Sequence, residues 1–217
     1  LVGILSFSSV APAAELRRPN IVLILIDDMG YRDIACNGSR VFETPNIDRL
    51  SSHGMRFTDA YAACSVCSPT RLSIMCGKYP ARVGLTNYIS GNRWADNSPL
   101  TQIRWRPYMP PDEVTIAETL KSAGYRTGTI GKWHLNSRGE GEQLGKDTQP
   151  EAQGFDEATG RAPNQTDKGV AGMTDRAVAF IAANKDRPFF LYLCHNSVHI
   201  PLEATPESAF STSSIMT

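Results

Sequence analysis

The apolar run at residues 20–26, NIVLILI, constrains the fold more than any other stretch of this 217-residue chain. Its length and β-branched composition are typical of a strand that is buried on both faces, and such strands occur mainly in parallel sheets. The run ends abruptly in Asp27 and Asp28. We therefore predict a parallel sheet that carries two carboxylates at the carboxyl end of one strand.

The rest of the pattern alternates strands with helices. Further strands are predicted over residues 125–130 and 188–193, and helices over residues 113–123 and 170–184. This alternation predicts an α/β fold with a largely parallel mixed sheet flanked by helices. The sequence shows no internal repeat and no linker, so one domain is expected.

A short helix is predicted to begin near Cys67. Ser68 suits its cap, Pro69 suits its first position, and Gly77 suits its end. Arg71 would then meet the positive end of the helix dipole, at a cost of about 0.3–1 kcal/mol that an anionic partner would offset. Cys67 would lie just before the cap. This helix start is therefore a candidate site for negative charge.

Polar residues also follow the other two predicted strands, and ligands of open α/β sheets bind beyond the carboxyl ends of the strands. Lys132 and His134 share one face if the chain stays extended, with Trp133 on the other face. His195 and His199 follow the third strand. A lone histidine is more often a hydrogen-bonded core residue, and Lys132 alone is equally typical of the surface. Three such strand ends together favour one shared pocket.

The adjacent residues Asp27 and Asp28 have two interpretations. Two carboxylates about 5 Å apart repel by about 3 kcal/mol at an effective dielectric constant of about 20, so a cleft that holds both would need a cation between them. Alternatively, one aspartate caps a turn while the other faces water. The pair alone favours the turn, and the neighbouring strand ends favour the cation.

The charge balance excludes partners that require a strong overall field. Lys and Arg together number 22, as do Asp and Glu, so neither nucleic acid nor an anionic membrane surface is expected as a partner. The five cysteines are an odd number, which leaves at least one thiol unpaired or chemically altered. Cys64 and Cys67 form a CxxC pair, which is typical of a redox pair or half a zinc site, but no second pair supports zinc.

Residues 1–14 have the apolar segment and the small-residue cleavage site of a secretory signal peptide. The apolar segment is too short to span a bilayer. We therefore expect a signal peptide remnant over residues 1–14 and an exported protein, periplasmic or secreted, without a membrane span. A disordered apolar tail is the alternative.

Several motifs occur in a characteristic order. CSPTR at residues 67–71 has the spacing CxPxR, and GYRTGTIGKWH occupies residues 124–134. The other segments are PNIVLILIDDMG, TPNIDRLSSHGMRFTDAY, QGFDE and PFFLYLCHNSVHIPL. Together they resemble the formylglycine-dependent, arylsulfatase-like sulfatases of the alkaline phosphatase superfamily, over residues 19–202. The resemblance implies an alkaline-phosphatase-like fold in which residues 19–217 form the N-terminal part of the catalytic domain, with the sheet incomplete at its C-terminal end.

The resemblance also implies a metal site and a modified nucleophile. Asp27 and Asp28 would bind a calcium ion together with residue 67. A formylglycine-generating enzyme would oxidise Cys67 to formylglycine during maturation. The further metal ligands and the additional lysine of the family would lie beyond residue 217.

The other candidate residues receive roles from the same resemblance. Arg71 would hold the formylglycine hydrate, Lys132 and His134 would contact the sulfate, and His199 would lie near the leaving oxygen. His195 has no such counterpart and is interpreted as structural. One hydroxyl of the hydrate would attack the sulfate ester, and loss of the proton from the other would expel sulfate, which splits the reaction into two easier steps.

The expected function is therefore hydrolysis of an aryl or carbohydrate sulfate ester. Residues 86–112 lack periodicity, and such long loops often shape binding sites. Their aromatic and cationic side chains suit sulfated sugars, which hints at a sulfated polysaccharide. These side chains are Arg93, Trp94, Arg104, Trp105 and Arg106. Two alternatives remain: a phosphate or phosphonate ester hydrolase of the same superfamily, and a non-catalytic protein that binds sulfated glycans.

Overall fold

Four strands form one sheet in the computed structural model, which describes residues 18–89, 99, 104–136, 142–160 and 167–205. The strands are β1 (Ile21–Asp27), β2 (Arg126–Gly131), β3 (Glu157–Thr159) and β4 (Phe189–Val198). All neighbouring strands are parallel, in the order β1-β4-β2-β3. The predicted α/β fold with a parallel sheet is confirmed, whereas the predicted signal peptide lies outside the described residues.

Six α-helices occur in the described part of the chain. They are α1 (Pro45–His53), α2 (Cys67–Cys76), α3 (Pro80–Val83), α4 (Ile116–Ser122), α5 (Glu142–Asp147) and α6 (Val170–Asn184). Short 3-10 turns occupy Tyr31–Asp33, Ala35–Asn37 and Pro150–Gln153. Within the same residues, no helix combines the length and the apolar character that a membrane crossing requires.

The side chains of β4 alternate between two apolar clusters because successive residues of a strand point to opposite faces of the sheet. On one face they pack with α2 and α4, and on the other face they pack with α6. The buried residues of the first face include Leu72, Met75, Ala117, Phe190, Tyr192 and Cys194. Those of the second face include Met173, Ala177, Phe180, Phe189, Leu191 and Leu193. β4 is thus buried on both sides.

The register of the sheet aligns the carboxyl ends of the three longer strands. Gly131 at the end of β2 pairs with Cys194 of β4, and Asp27 at the end of β1 pairs with Val198. The register shifts between Ile26, which pairs with His195, and Asp27, which pairs with Val198, so β4 carries two extra residues opposite this step and both strands end together. The polar residues that follow these strands therefore lie along one edge of the sheet.

Several local predictions differ from the structure. The helix predicted over residues 113–123 begins at Ile116, because Thr115 caps it through a reciprocal hydrogen-bond pair with Glu118. β3 and α5 were not predicted, because runs of three and six residues are too short for a periodic signal.

Candidate active site

A cleft opens at the carboxyl edge of the sheet, between the end of β1 and the start of α2. Its lining includes residues from the end of β1, from the segment before α2 and from the first turn of α2. These are Asp27, Asp28, Cys64, Cys67, Thr70 and Arg71, together with their neighbours. The first strand end and the helix start that we singled out in the sequence therefore meet in one place.

The start of α2 differs from the prediction in one respect. Val66, in extended conformation, is the N-cap, and Cys67 is the first residue of the helix. Ser68 is therefore not the cap; it is fully buried, and its hydroxyl accepts a hydrogen bond from the backbone N–H of Ile89 at 3.1 Å. Gly77 ends the helix in the left-handed conformation, as predicted.

Cys67 contacts the imidazole of His134, with Sγ 3.3 Å from Nδ1. The other ring nitrogen, Nε2, lies 3.1 Å from the carbonyl oxygen of Ile89. A carbonyl oxygen can only accept, so this hydrogen-bond network assigns the hydrogen to Nε2 and directs Nδ1 at residue 67. A nucleophile beside a base that a third group orients is the arrangement that covalent catalysis requires.

The turn after β2 directs two polar side chains toward the cleft. Lys132 donates its backbone N–H to the Cys194 carbonyl at 3.0 Å, and His134 adopts a left-handed backbone with a φ of 58°. Between them, Trp133 is buried and donates its indole N–H to the Thr148 carbonyl at 3.0 Å. The chain is not extended here, but the expected separation of Trp133 from its two polar neighbours is observed.

Asp27 lies between two cations. It accepts a hydrogen bond from the Lys132 ammonium through Oδ2, and its Oδ1 lies 3.5 Å from Nη2 of Arg71. The Arg71 side chain is 1% exposed and donates from Nη1 to the Lys132 carbonyl at 2.6 Å. Burial alone would lower the pKa of Arg71, but its interactions with Tyr192, Cys194 and Asp27 outweigh burial and raise this pKa. The anionic partner expected for Arg71 is thus found within the protein.

Asp28 and His199 lie at the more open side of the cleft. The Asp28 side chain is 53% exposed, and its Oδ2 lies 3.7 Å from Nε2 of His199, which is 38% exposed. His199 follows β4, and its carbonyl oxygen accepts a hydrogen bond from the buried Lys168 ammonium. The structure therefore brings all the predicted site residues to one edge of the sheet.

The oxygen atoms at the carboxyl end of β1 match part of a calcium site. Carboxylate oxygens are the ligands that calcium prefers, so the adjacent Asp27 and Asp28 fit its chemistry. Two carboxylates fall short of the six to eight oxygens that calcium takes. Nor does any cluster of three or more histidine, cysteine or acidic side chains within the described residues form a metal site. The residues present fit part of a calcium site.

His195 was interpreted as structural, and its surroundings agree with that interpretation. The side chain is buried, its Nδ1 has no hydrogen-bond partner among the described residues, and burial lowers the pKa of the ring. It alternates with Cys194 along β4, so it points to the opposite face of the sheet from Arg71.

All five cysteines are described and have free thiols.

Sequence reasoning missed the residues that support the site. Ser68 was assigned to the cap, although it binds Ile89, and Tyr192 lies against Arg71 in the middle of a strand that we interpreted only as apolar core. The polar residue inside the PFFLYL run was the one available signal for Tyr192.

The loop residues proposed to bind sugars are only partly described. Arg106 Cζ lies 5.7 Å from the centre of the Tyr108 ring. Arg93 and Trp94 lie outside the described residues.

The fold and the cleft together define a class of protein. It is an α/β protein whose parallel sheet carries, at its carboxyl edge, a cysteine–histidine pair next to a buried carboxylate that two cations flank. Such an edge is where proteins of this architecture bind ligands. The two cations that flank Asp27, Lys132 and Arg71, suit an anionic ligand.

The chain belongs to the Sulfatase family, whose model matches residues 19–214. Arylsulfatase H of Canis lupus familiaris is 46% identical over 117 residues, which cover 54% of this chain and 20% of the relative. Arylsulfatase A of Homo sapiens is 34% identical over an alignment of 235 residues, which covers 88% of this chain and 43% of the relative. The structure of Ps i-CgsB in complex with k-i-k-neocarrahexaose is similar with a TM-score of 0.69 and 29% identity, covering 92% of this chain and 49% of that protein. The chain spans less than half the length of each of these three proteins.

Proposed function

We propose that this protein is a sulfatase that hydrolyses sulfate esters in the cleft between β1 and α2. The observation that carries the proposal is the contact between Cys67 and His134, next to the Lys132–Asp27–Arg71 cluster. A sulfur, an imidazole and two cations that lie close together support the assignment of a nucleophile, a base and an anion-binding group to this cleft. Membership of the Sulfatase family supports the same reaction class.

Residue 67 is proposed to act after conversion of Cys67 to formylglycine by a formylglycine-generating enzyme. The Cys67 sulfur then stands in for a hydroxyl group of the formylglycine hydrate. This hydrate supplies one hydroxyl as the nucleophile and a second whose deprotonation releases the product. His134 Nδ1, which faces residue 67 at 3.3 Å, is the atom that we assign to accept this proton.

The cations have separate proposed roles. Lys132 reaches the cleft with its ammonium group and would stabilise negative charge on the sulfate oxygens. Arg71, a buried residue near the start of α2, would orient the side chain of residue 67. His199, at the open side of the cleft, is proposed to donate a proton to the leaving oxygen.

Asp27, Asp28 and residue 67 are the residues that would hold a calcium ion. When bound, such an ion supplies positive charge next to the sulfate oxygens. Asp27 also contacts Lys132 and Arg71, so this carboxylate would serve both the metal and the two cations. Asp28 is free of those contacts with Lys132 and Arg71 within the described residues.

The proposed substrate class is a carbohydrate sulfate, and an aryl sulfate is the alternative substrate. Arg104 and Arg106 are exposed next to the half-buried Trp105, a combination that suits anionic sugars. The similar protein Ps i-CgsB was solved in complex with k-i-k-neocarrahexaose, an oligosaccharide by its name. An exported location, periplasmic or secreted, is proposed with this substrate class.

The decisive experiment is mass spectrometry of the peptide that contains residue 67, after coexpression of the protein with a formylglycine-generating enzyme. We expect formylglycine at residue 67 and turnover of an aryl sulfate. Cys67→Ala should abolish turnover, whereas Cys76→Ala, at the other end of α2, should retain it.

Three other outcomes would contradict this proposal. Faster turnover of an aryl phosphate than of the aryl sulfate would assign the protein to phosphate or phosphonate ester hydrolysis. An unmodified Cys67 with no turnover, combined with binding of a sulfated glycan, would favour a binding protein. A disulfide between Cys64 and Cys67 would favour a redox or structural role for this pair.

A further inference from the structure

We propose that Ser68 is a positioning residue, which holds the imidazole of His134 against residue 67 through the backbone of Ile89. The inference rests on the function proposed above, because it concerns the base of that reaction. Ser68 follows the nucleophile directly in the chain, but its side chain is fully buried instead of facing the cleft. Its hydroxyl accepts the N–H of Ile89 at 3.1 Å.

Ile89 connects the serine to the histidine. Its N–H binds Ser68 and its carbonyl oxygen accepts from Nε2 of His134 at 3.1 Å, so both of its backbone polar groups serve this connection. Its side chain is 2% exposed and packs in the apolar cluster that contains Leu72 and Met75 of α2. The carbonyl that orients His134 is therefore fixed from two directions, by the serine hydroxyl and by packing.

Ile89 lies in an irregular stretch of the described chain. Residues 85–89 belong to neither a helix nor a strand, so no ladder of backbone hydrogen bonds fixes them. Removal of the Ser68 hydroxyl would leave the buried N–H of Ile89 without this acceptor, which is unfavourable. We expect the segment to shift toward another partner and to move the Ile89 carbonyl away from His134.

The consequence for His134 is specific. Without the Ile89 carbonyl at its present position, the hydrogen is no longer held on Nε2, and Nδ1 is no longer held toward residue 67. Lys132, which is proposed to hold the sulfate oxygens, would still bind substrate, but a base that is misoriented or in the other tautomer would transfer protons poorly. The loss should therefore appear in kcat and leave KM nearly unchanged.

The test compares Ser68→Ala with Ser73→Ala in the protein coexpressed with a formylglycine-generating enzyme. Ser73 is a matched control, because its hydroxyl is also buried on α2 but has no hydrogen-bond partner among the described residues. We expect Ser68→Ala to lower kcat about 10- to 100-fold, in the range typical of residues that orient catalytic groups. KM and the formylglycine content of residue 67 should stay unchanged. Ser68→Thr, which keeps the hydroxyl, should restore most of kcat.

Nitrogen NMR of histidine-labelled protein gives a readout that does not depend on activity. The signals of His134 are assigned by their loss in a His134→Gln variant. In the wild-type protein we expect the neutral ring to carry its hydrogen on Nε2, and in Ser68→Ala we expect a mixture of tautomers. Ser73→Ala should keep the wild-type signals.

The proposal is overturned if the wild-type ring carries its hydrogen on Nδ1, a result that does not require any variant to fold. It is equally overturned if Ser68→Ala keeps both kcat and the His134 signals, or if Ser68→Ala and Ser73→Ala lose kcat to the same extent. Absence of sulfate ester turnover in the wild-type protein would contradict the proposed function alone. In that case the NMR comparison would still decide the role of Ser68.

Discussion

Gly131 ends β2 at the point where the chain turns toward Lys132 and His134, and we predict that it tolerates no side chain. Its φ is +100°, a conformation that L side chains rarely adopt. A Cβ at this position would lie 2.0 Å from the carbonyl oxygen of Cys194 on β4. That oxygen also accepts the Lys132 N–H at 3.0 Å, so Gly131→Ala would disturb the junction between β2, β4 and the cleft.

The magnitude follows from three contributions. A left-handed backbone costs a residue with a Cβ about 1–2 kcal/mol. Overpacking against a backbone atom that cannot rotate away costs about 1–3 kcal/mol, and loss of the Lys132–Cys194 hydrogen bond costs about 0.5–1.5 kcal/mol. We therefore expect Gly131→Ala to lower the free energy of unfolding by about 2.5–6.5 kcal/mol in total.

Urea unfolding followed by circular dichroism measures this loss, and Gly77→Ala is the matched control. Gly77 also has a positive φ, of +65°, but a Cβ there would meet nothing within 4 Å. Gly77→Ala should therefore cost only the backbone contribution of about 1–2 kcal/mol. Equal losses in the two variants would refute the reasoning, because they would show that β2 and β4 do not approach as closely as the structure indicates.

Two further predictions concern buried polar groups around Asp27. Arg71→Met should lower the free energy of unfolding by up to about 3–5 kcal/mol in urea unfolding, since it removes one partner of a buried ion pair; a loss below about 1 kcal/mol would show that Lys132 alone compensates Asp27. Burial raises the pKa of Cys194 to about 12, so the folded state should resist alkylation of this thiol at pH 8, as peptide mass spectrometry would show. Because the pKa of Cys194 is raised in the folded state, its stabilising contribution is complete below the ordinary cysteine pKa. This contribution to the free energy of unfolding is lost as pH rises toward 12. Cys194→Ala should therefore lose less stability than the wild-type protein over this alkaline range.

The sequence predicted most of what long, regular patterns encode. The buried runs gave β1 and β4, and the helix predicted over residues 170–184 coincides with α6. The parallel arrangement followed from the alternation of strands and helices. The same alternation predicted that the polar residues after three strands would lie along one edge, because parallel strands end on the same side of a sheet.

The contacts within the site could not be predicted in the same way. The hydrogen bond from His134 to Ile89 joins residues from two irregular segments, and no local periodicity encodes such a pairing. The predicted cap of α2 was also wrong. The buried Ser68 hydroxyl accepts a hydrogen bond from Ile89, and the residue at the N-cap, Val66, makes no side-chain capping bond. Preferences at helix starts describe average surroundings, and here a tertiary hydrogen bond outweighs them.

The position of Asp27 affects how any variant of the proposed metal site must be interpreted. Asp27 is 5% exposed and lies against Arg71, which is 1% exposed, so Asp27→Asn would leave a buried guanidinium without its counter-charge and destabilise the fold. Loss of activity in Asp27→Asn would therefore not separate metal binding from folding.

Asp28 offers the cleaner comparison for the same question. Its side chain is 53% exposed and lies near only the partly exposed His199 among the described ion pairs. Asp28→Asn thus removes a carboxylate without burying an unpaired charge, and urea unfolding should show little change for an exposed pair of this kind. If Asp28→Asn loses calcium binding, measured by calorimetry, but keeps its stability without added calcium, the Asp28 carboxylate binds the metal. Retained calcium affinity would instead favour the alternative in which Asp28 only caps a turn or faces water.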